Sequence, residues 1–353
     1  MVGGSVTGAD VTVRAGRDIV VVASQLTASD ALTLAAERDL SVLSAEQSGS
    51  ERHSSEVKQS GFSLNLTTGI GYSKSQDDKS GNGDTVRQIG SVLSGGSVTA
   101  TSGRDTLVKA STVVADQKLS IAAKGDLSIV SAADHDTGDY ATSSKKSGSI
   151  GSNFQPAYGN VKTTTDGKHD NTTQVGSQIA SLGGNVELKA GGRYTQTASQ
   201  VKAPEGDISI EGSDVLVNAG FSTTDSTDHT TYAKTAIGGT ISVPIVNAVQ
   251  RVASMASAAK TTKDGRMQAL ALYNLDRSAG DLVDTAGAMS QNMMSGVKIS
   301  VSLGNTKSES NAVQSATVAV GSSIAAGGNV SIKASGGGKD SNITAIGSDI
   351  SAG

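Results

Sequence analysis

The chain has 353 residues with 43 Gly, 3 Pro, no Cys, no Trp and 3% aromatics, a composition that argues against one compact globule anchored on large rings and for thin layers of Val, Ile, Leu and Ala. Its formal net charge of −4, with Lys and Arg scattered among acids, leaves no basic footprint for nucleic acid. The lack of Cys excludes a disulfide framework and a thiolate metal site, and suits export as an unfolded chain.

From the N-terminus, Met1-Val2-Gly3-Gly4-Ser5 shows neither a basic n-region nor an apolar h-region, and the stretch reads as cut from something longer. Short alternating runs follow, Asp10-Val11-Thr12-Val13 first and Lys118-Leu119-Ser120-Ile121 later, which read as strands with one face inward. Val11, Val13, Ile19 and Val21 recur as Leu32, Leu34, Leu40 and Val42, and Asp105 recurs as Asp126, at a shift of about 21 residues. Val186 and Leu188 recur as Ile208 and Ile210 at about 22. Two or three short strands per period of that length make about one coil of a solenoid. The spacing predicts an all-β, right-handed parallel β-helix of seven or eight coils, one repeat domain over 1–353.

A double glycine recurs as Gly3-Gly4, Gly95-Gly96, Gly183-Gly184 and Gly327-Gly328, at offsets of roughly 92, 88 and 144 residues. Modules are expected at about 1–48, 92–138, 179–221 and 324–353. Three of the double glycines are led in by Ile89-Gly90-Ser91, Val175-Gly176-Ser177 and Val320-Gly321-Ser322. Between modules, 49–90, 139–176 and 222–320 are rich in Ser, Thr, Lys, Asp and Asn and read as β-hairpin arms lying along the rod or projecting from it. Pro244, followed by apolar residues at helical spacing, predicts a small helical insertion over about 244–294 in the third arm.

The arms, the double-glycine corners and the phrase Gly296-Val297-Lys298-Ile299-Ser300-Val301-Ser302-Leu303-Gly304-Asn305-Thr306-Lys307-Ser308 resemble the haemagglutinin repeat region of filamentous-haemagglutinin-like exoproteins, a region shared with contact-dependent growth inhibition exoproteins. The resemblance spans essentially the whole chain. It implies a large surface protein of Gram-negative bacteria, exported by a two-partner outer-membrane transporter. In the toxin branch it implies the repeat block that carries a C-terminal toxin across a target's outer membrane.

Chemistry is sparse by comparison. Asp18 with Asp39, and Asp105 with Asp126, sit one coil apart, as a glycosidase pair would; Asp18, Asp105 and Asp126 follow Gly or Gly-Arg and Asp39 follows Glu-Arg at a corner, where a carboxylate accepts backbone hydrogen bonds in a turn. The turn role outweighs catalysis, and Arg17, Arg38 and Arg104 beside these acids offset their charge. His53, His169 and His229 fall in the arms and His135 just ahead of the second one, without the three or four converging groups of a metal site. No cofactor motif is present. Tyr72, Phe154, Tyr158 and Tyr232 on the arms, and Met255, Met267, Met289 and Met293 in the insertion, form the candidate interaction surface.

The sequence thus favours a non-enzymatic structural and translocation segment of a secreted cell-surface exoprotein, meeting its transporter during export and then a target-cell outer membrane, a receptor or neighbouring copies. The runner-up is an adhesin segment binding host cells, matrix or glycans. A β-helical polysaccharide lyase or hydrolase comes third.

Overall fold

A computed structural model describes residues 3–65, 69–150, 157–242 and 298–353. The expected helical insertion at about 244–294, with Met255, Met267, Met289 and Met293, lies outside the described residues, as does Phe154.

The first two coils are β1 (Ser5–Gly8), β2 (Val11–Ala15), β3 (Ile19–Val22) and then β4 (Gln25–Ala28), β5 (Ala31–Ala36), β6 (Leu40–Leu43). A long hairpin, β7 (Ala45–Asn65) and β8 (Gly69–Ile89), interrupts them. Coils three and four are β9 (Val92–Ser102) with β10 (Thr106–Lys109), and β11 (Thr112–Ala123) with β12 (Leu127–Val130). Here β9 and β11 each run through a corner and serve two faces. After the hairpin β13 (Ala132–Ser149) and β14 (Ala157–Val175) come β15 (Gln178–Ser181), β16 (Val186–Ala190), β17 (Arg193–Thr197), then β18 (Gln200–Ala203), β19 (Ile208–Gly212), β20 (Asp214–Asn218). The third hairpin, β21 (Gly220–Ser242) and β22 (Lys298–Val320), leads to β23 (Ser323–Ala326), β24 (Val330–Ala334), β25 (Ile343–Ile346) and β26 (Asp349–Ser351), which opens an eighth coil.

Each coil lays its strands on the same three faces and pairs in parallel with the coil before it, which makes the rod a parallel β-helix. The right-handed sense is the one parallel crossovers adopt. Period matches in the sequence are strand pairs here: Val11 faces Leu32, Ile19 faces Leu40 and Val186 faces Ile208. Side chains alternate across each strand, so one apolar residue per coil points inward at each level. Leu32, Val98, Leu119, Val186 and Ile208 form such a column, all fully buried. Burying each is worth about 1.5–3 kcal/mol.

One coil departs from the ring-free core that composition suggests. Tyr194 and Gln196 take the inward positions that Leu127 and Ile129 fill one coil earlier. The Tyr194 hydroxyl donates to Gln196 Oε1 at 2.9 Å, and Gln196 Nε2 donates to the Ser199 and Ser323 carbonyls at 2.8 and 3.1 Å. With every polar atom partnered the ring can be buried, and burial pushes its phenol up.

The double glycines are not all equivalent. Gly95-Gly96, Gly183-Gly184 and Gly327-Gly328 turn the chain from the first face to the second, whereas Gly3-Gly4 precedes β1 and leads onto the first face. Val6 therefore stacks on Leu26, and Val98 on Leu32. The offset of roughly 92 is a match of phrase between two different corners. The residue stacked on Leu93 two coils earlier is Val6, through Leu26. Residues 45–48, 132–138 and 220–221, which the module pattern assigns to coils, lie on the hairpin strands.

All three hairpins leave from the ends of β6, β12 and β20, neighbours two coils apart on one face. Two coils rise by about 9.6 Å at the ordinary strand spacing, and a hairpin two strands wide needs the same height. Successive arms therefore meet edge to edge and form one antiparallel sheet in the order β7, β8, β13, β14, β21, β22. Its strands of 18–23 residues run roughly 60–75 Å at about 3.4 Å per residue.

Candidate functional site

At the corner between the second and third faces, a column of aspartates crosses the coils. Asp18 Oδ1 accepts the Asp39 amide at 3.2 Å, Asp39 Oδ1 that of Asp105 at 3.3 Å, Asp105 Oδ1 that of Asp126 at 2.9 Å, and Asp126 Oδ1 that of Arg193 at 2.8 Å. Arg38 forks onto Asp18, and Arg104 onto Asp39, through both carboxylate oxygens. A carboxylate bound by an amide and a guanidinium holds its lone pairs in the corner. Gly192 follows the same logic, since a Cβ there would run into the Asp126 carboxylate.

The Arg38 guanidinium holds Asp18 down at about 2, against an ordinary value of 3.8, with the Asp39 amide adding to the effect. Arg104 likewise lowers Asp39. A folded-state value below the unfolded one gives stabilisation that is complete above about pH 3.8 and disappears as the pH falls toward 2. The urea midpoint is therefore expected to drop between pH 4 and pH 2, and Asp18→Asn should flatten part of that drop. An identical fall in the variant would refute the assignment.

A second column, of serines, lies where the chain returns to the first face. Ser24, Ser91, Ser111, Ser177, Ser199 and Ser322 succeed one another, each amide donating to the hydroxyl in the next coil at 3.1–3.3 Å. At the arms these hydroxyls act as clasps. Ser91 Oγ donates to the Leu43 carbonyl at 2.7 Å, Ser177 Oγ to Val130 at 2.7 Å and Ser322 Oγ to Asn218 at 2.8 Å, closing the base of each hairpin. Gln88 Nε2 reaches from the first arm to the Ala133 carbonyl of the second at 3.1 Å, and Gln174 Nε2 from the second to Phe221 of the third at 3.0 Å. The repeated phrase Gln-Ile/Val-Gly-Ser at 88–91 and 174–177 was the signal for both devices.

Beyond these bases the arm sheet is a single layer. Residues opposite one another share a face, so register decides what each face presents. Phe62 opposes Tyr72, Tyr158 opposes Ser149 and Ile237, and Ile237 opposes Leu303, which puts one apolar row across the far part of the sheet on a single face. Phe62, Tyr158, Ile237 and Leu303 are 80, 66, 60 and 78% exposed. The opposite face at that level carries Gly61, Ser73, Gly148, Gly159, Ala236 and Gly304. Of the tyrosines singled out by sequence, Tyr72 and Tyr158 belong to the apolar row, while Tyr232, opposite Thr163, faces the other way and is half-buried.

His229 sits between two acids on neighbouring strands, Nδ1 3.2 Å from Asp166 and Nε2 3.1 Å from Glu309, and hydrogen bonding to Asp166 first and Glu309 second raises its pKa. The acids grip opposite ring nitrogens and do not converge. Among the described residues no group of three His, Cys, Asp or Glu could hold a metal ion.

The hemagglutinin repeat model matches residues 1–149, 158–274 and 299–353. The chain belongs to the hemagglutinin-repeat family. Similar proteins include a tRNA nuclease CdiA of Escherichia coli (strain STEC_O31), 31% identical over 94% of this chain and 10% of that protein. A 16S rRNA endonuclease CdiA of Enterobacter cloacae is 29% identical over 98% of this chain and 10% of its own length. A deoxyribonuclease CdiA of Yersinia pseudotuberculosis is 33% identical over 74% and 25%. This hemagglutinin-repeat chain thus spans about a tenth of the first two relatives and a quarter of the third. No solved structure matches it. Among the described residues no helix is long and apolar enough to cross a membrane.

Proposed function

We propose that this hemagglutinin-repeat chain is a shaft and translocation-associated segment of a large secreted exoprotein that delivers a C-terminal toxin to neighbouring bacteria. The carrying observation is that relatives named for action on tRNA, on 16S rRNA and on DNA align with the same segment. What they share here is independent of the substrate in their names. A rod that adds two coils and one hairpin at a time, with its corner carboxylates engaged in turns, suits spanning distance and presenting a surface rather than turnover.

On this reading the segment is non-enzymatic and needs no cofactor. It passes an outer-membrane two-partner transporter during export, stands on the surface of a Gram-negative cell, and meets a target-cell outer membrane or receptor through its arms. Coils and arms form one repeat domain over 1–353.

Deleting Pro244–Met294 in the full-length parent, with toxin delivery and cell adhesion measured separately, tests it. Loss of delivery with adhesion intact is expected. Loss of adhesion with delivery intact overturns it in favour of an adhesin, the second reading, which draws on the exposed row of Phe62, Tyr158, Ile237 and Leu303.

A further inference from the structure

Next to the apolar row, on the same face of the arm sheet, lies a shallow trough of about 630 Å³ lined by Lys58, Lys74, Lys145 and Lys162 among others. Lys145 and Lys162 stand directly opposite one another on β13 and β14. Like charges in that position destabilise a sheet. Among the described residues no carboxylate is ion-paired with Lys74, Lys145 or Lys162, whereas Lys58 is held by Glu56 at 2.6 Å. Lys74, opposite Ser147, sits diagonally from Lys145 on the neighbouring strand. Three exposed, uncompensated ammonium groups thus share one face of three consecutive strands.

The next level toward the apolar row has a different character. Tyr72 on β8 and Tyr158 on β14 lie two strands apart, roughly 9.6 Å, with only the small Ser149 of β13 between them. Phe62 packs against Tyr72 with ring centroids 5.0 Å apart, and Lys74 Nζ stands 5.9 Å from the Tyr72 ring centre. Two rings, a small polar floor and a cationic shelf one step away match a sugar ring that carries acidic substituents: the apolar ring faces meet tyrosines and the anions meet lysines.

We propose that this face of the arm sheet binds a linear acidic saccharide, one ring seated over Ser149 between Tyr72 and Tyr158 and its anionic groups on Lys74, Lys145 and Lys162. Charge complementarity selects the class. Glu56 and Asp78, both hydrogen-bonded to Gln76, border the trough on its β7–β8 side, and the chain as a whole carries −4. A polynucleotide, charged at every residue, meets repulsion there that a sparsely charged glycan avoids. The proposal rests on the reading of the arms as the contact surface and adds the chemistry of what they contact.

Calorimetric titration of the 353-residue chain decides it, with a partly methyl-esterified oligogalacturonate and a sparsely sulfated dextran fragment as acidic probes, a neutral malto-oligosaccharide, and a single-stranded DNA oligomer. At least one acidic probe should bind, more weakly as salt rises, and the neutral sugar should not. Lys145→Gln combined with Lys162→Gln should weaken binding by roughly tenfold or more, without loss of folding because it removes a like-charge pair. Tyr158→Ser should weaken the saccharide and leave binding of inorganic pyrophosphate unchanged. Absence of binding to both acidic probes, unchanged affinity in the variants, or tighter binding of the DNA oligomer through the same lysines overturns the proposal. Toxin delivery by the parent is read separately, so failure here leaves the shaft reading standing.

Discussion

Excising Ser131–Val175 is expected to leave the rod folded while breaking the arm sheet into two exposed hairpins. The cut joins Val130 to Gly176. Val130 pairs with Lys109 on one side and Thr197 on the other. Ser177 takes the Ser111 amide's counterpart role in the serine column, between Ser111 and Ser199. The joined Val130-Gly176-Ser177 then has the register of Lys109-Ala110-Ser111 and Thr197-Ala198-Ser199, where the chain turns with no arm. Ala110 and Ala198 turn there with φ of 44°, a left-handed conformation that glycine adopts more readily than alanine. The junction is therefore already built for closure.

The arms fare differently after that excision. β8 loses its pairing along Ser73–Val86, and β21 loses its pairing with β14. The gap left is two strands wide, about 9.6 Å, so the two faces cannot meet without shearing the rod. Isolated two-stranded hairpins are marginal in water. Hydrogen exchange should show β8 and β21 amides losing protection while β5, β11 and β19 keep theirs, and limited proteolysis should trim the arms first. Retained protection in β8 would mean that the arms are stable singly and that matched rise is irrelevant to them.

How far this was legible in the sequence depends on what each residue reports. Inward positions alternate at period two and repeat near 21, so the stacking of Val11 on Leu32 and of Val186 on Ile208 is carried by the sequence itself. The arms carry no such inward signal, because both of their faces meet solvent: Lys145 and Lys146, on opposite faces, are both exposed. Their pairing follows from equal rise of two coils and two strands, a property of the whole module that no local window contains. The serine column was visible as a repeated phrase, but its hydroxyls point inward, and Ser91, Ser177 and Ser322 are almost fully buried. Gly3-Gly4 misled because identical dipeptides serve two corners, and only the strand register separates them. At the candidate site, Tyr72 and Tyr158 were singled out for their rings; Lys145 and Lys162 were not, since their opposition depends on the register of β13 against β14, which no local sequence window contains.

Leu188→Asp is expected to cut the rod in two, and only where the arms are cut as well. Leu188 is 1% exposed and stacks between Ile121 of the coil before and Ile210 of the coil after. An unpaired carboxylate in that apolar column has no partner, and its desolvation together with the lost packing should cost about 4 kcal/mol or more. The exposed neighbour Lys189→Ala should stay within about 0.5 kcal/mol. Coils of a solenoid contact only their neighbours, so the damage centres on β16, β19 and the strands beside them while β2, β5 and β9 keep their stacking. The arm sheet, however, bypasses the lesion, because β13 leaves the rod before Leu188 and pairs with β8, and β14 pairs with β21 after it. In the intact chain a single, lowered unfolding transition is therefore expected. Combined with the Ser131–Val175 excision, the same substitution should give two transitions, with a loss greater than the sum of the separate effects. Additive losses and one transition in the double variant would show that the rod alone carries the cooperativity and that the second sheet contributes none.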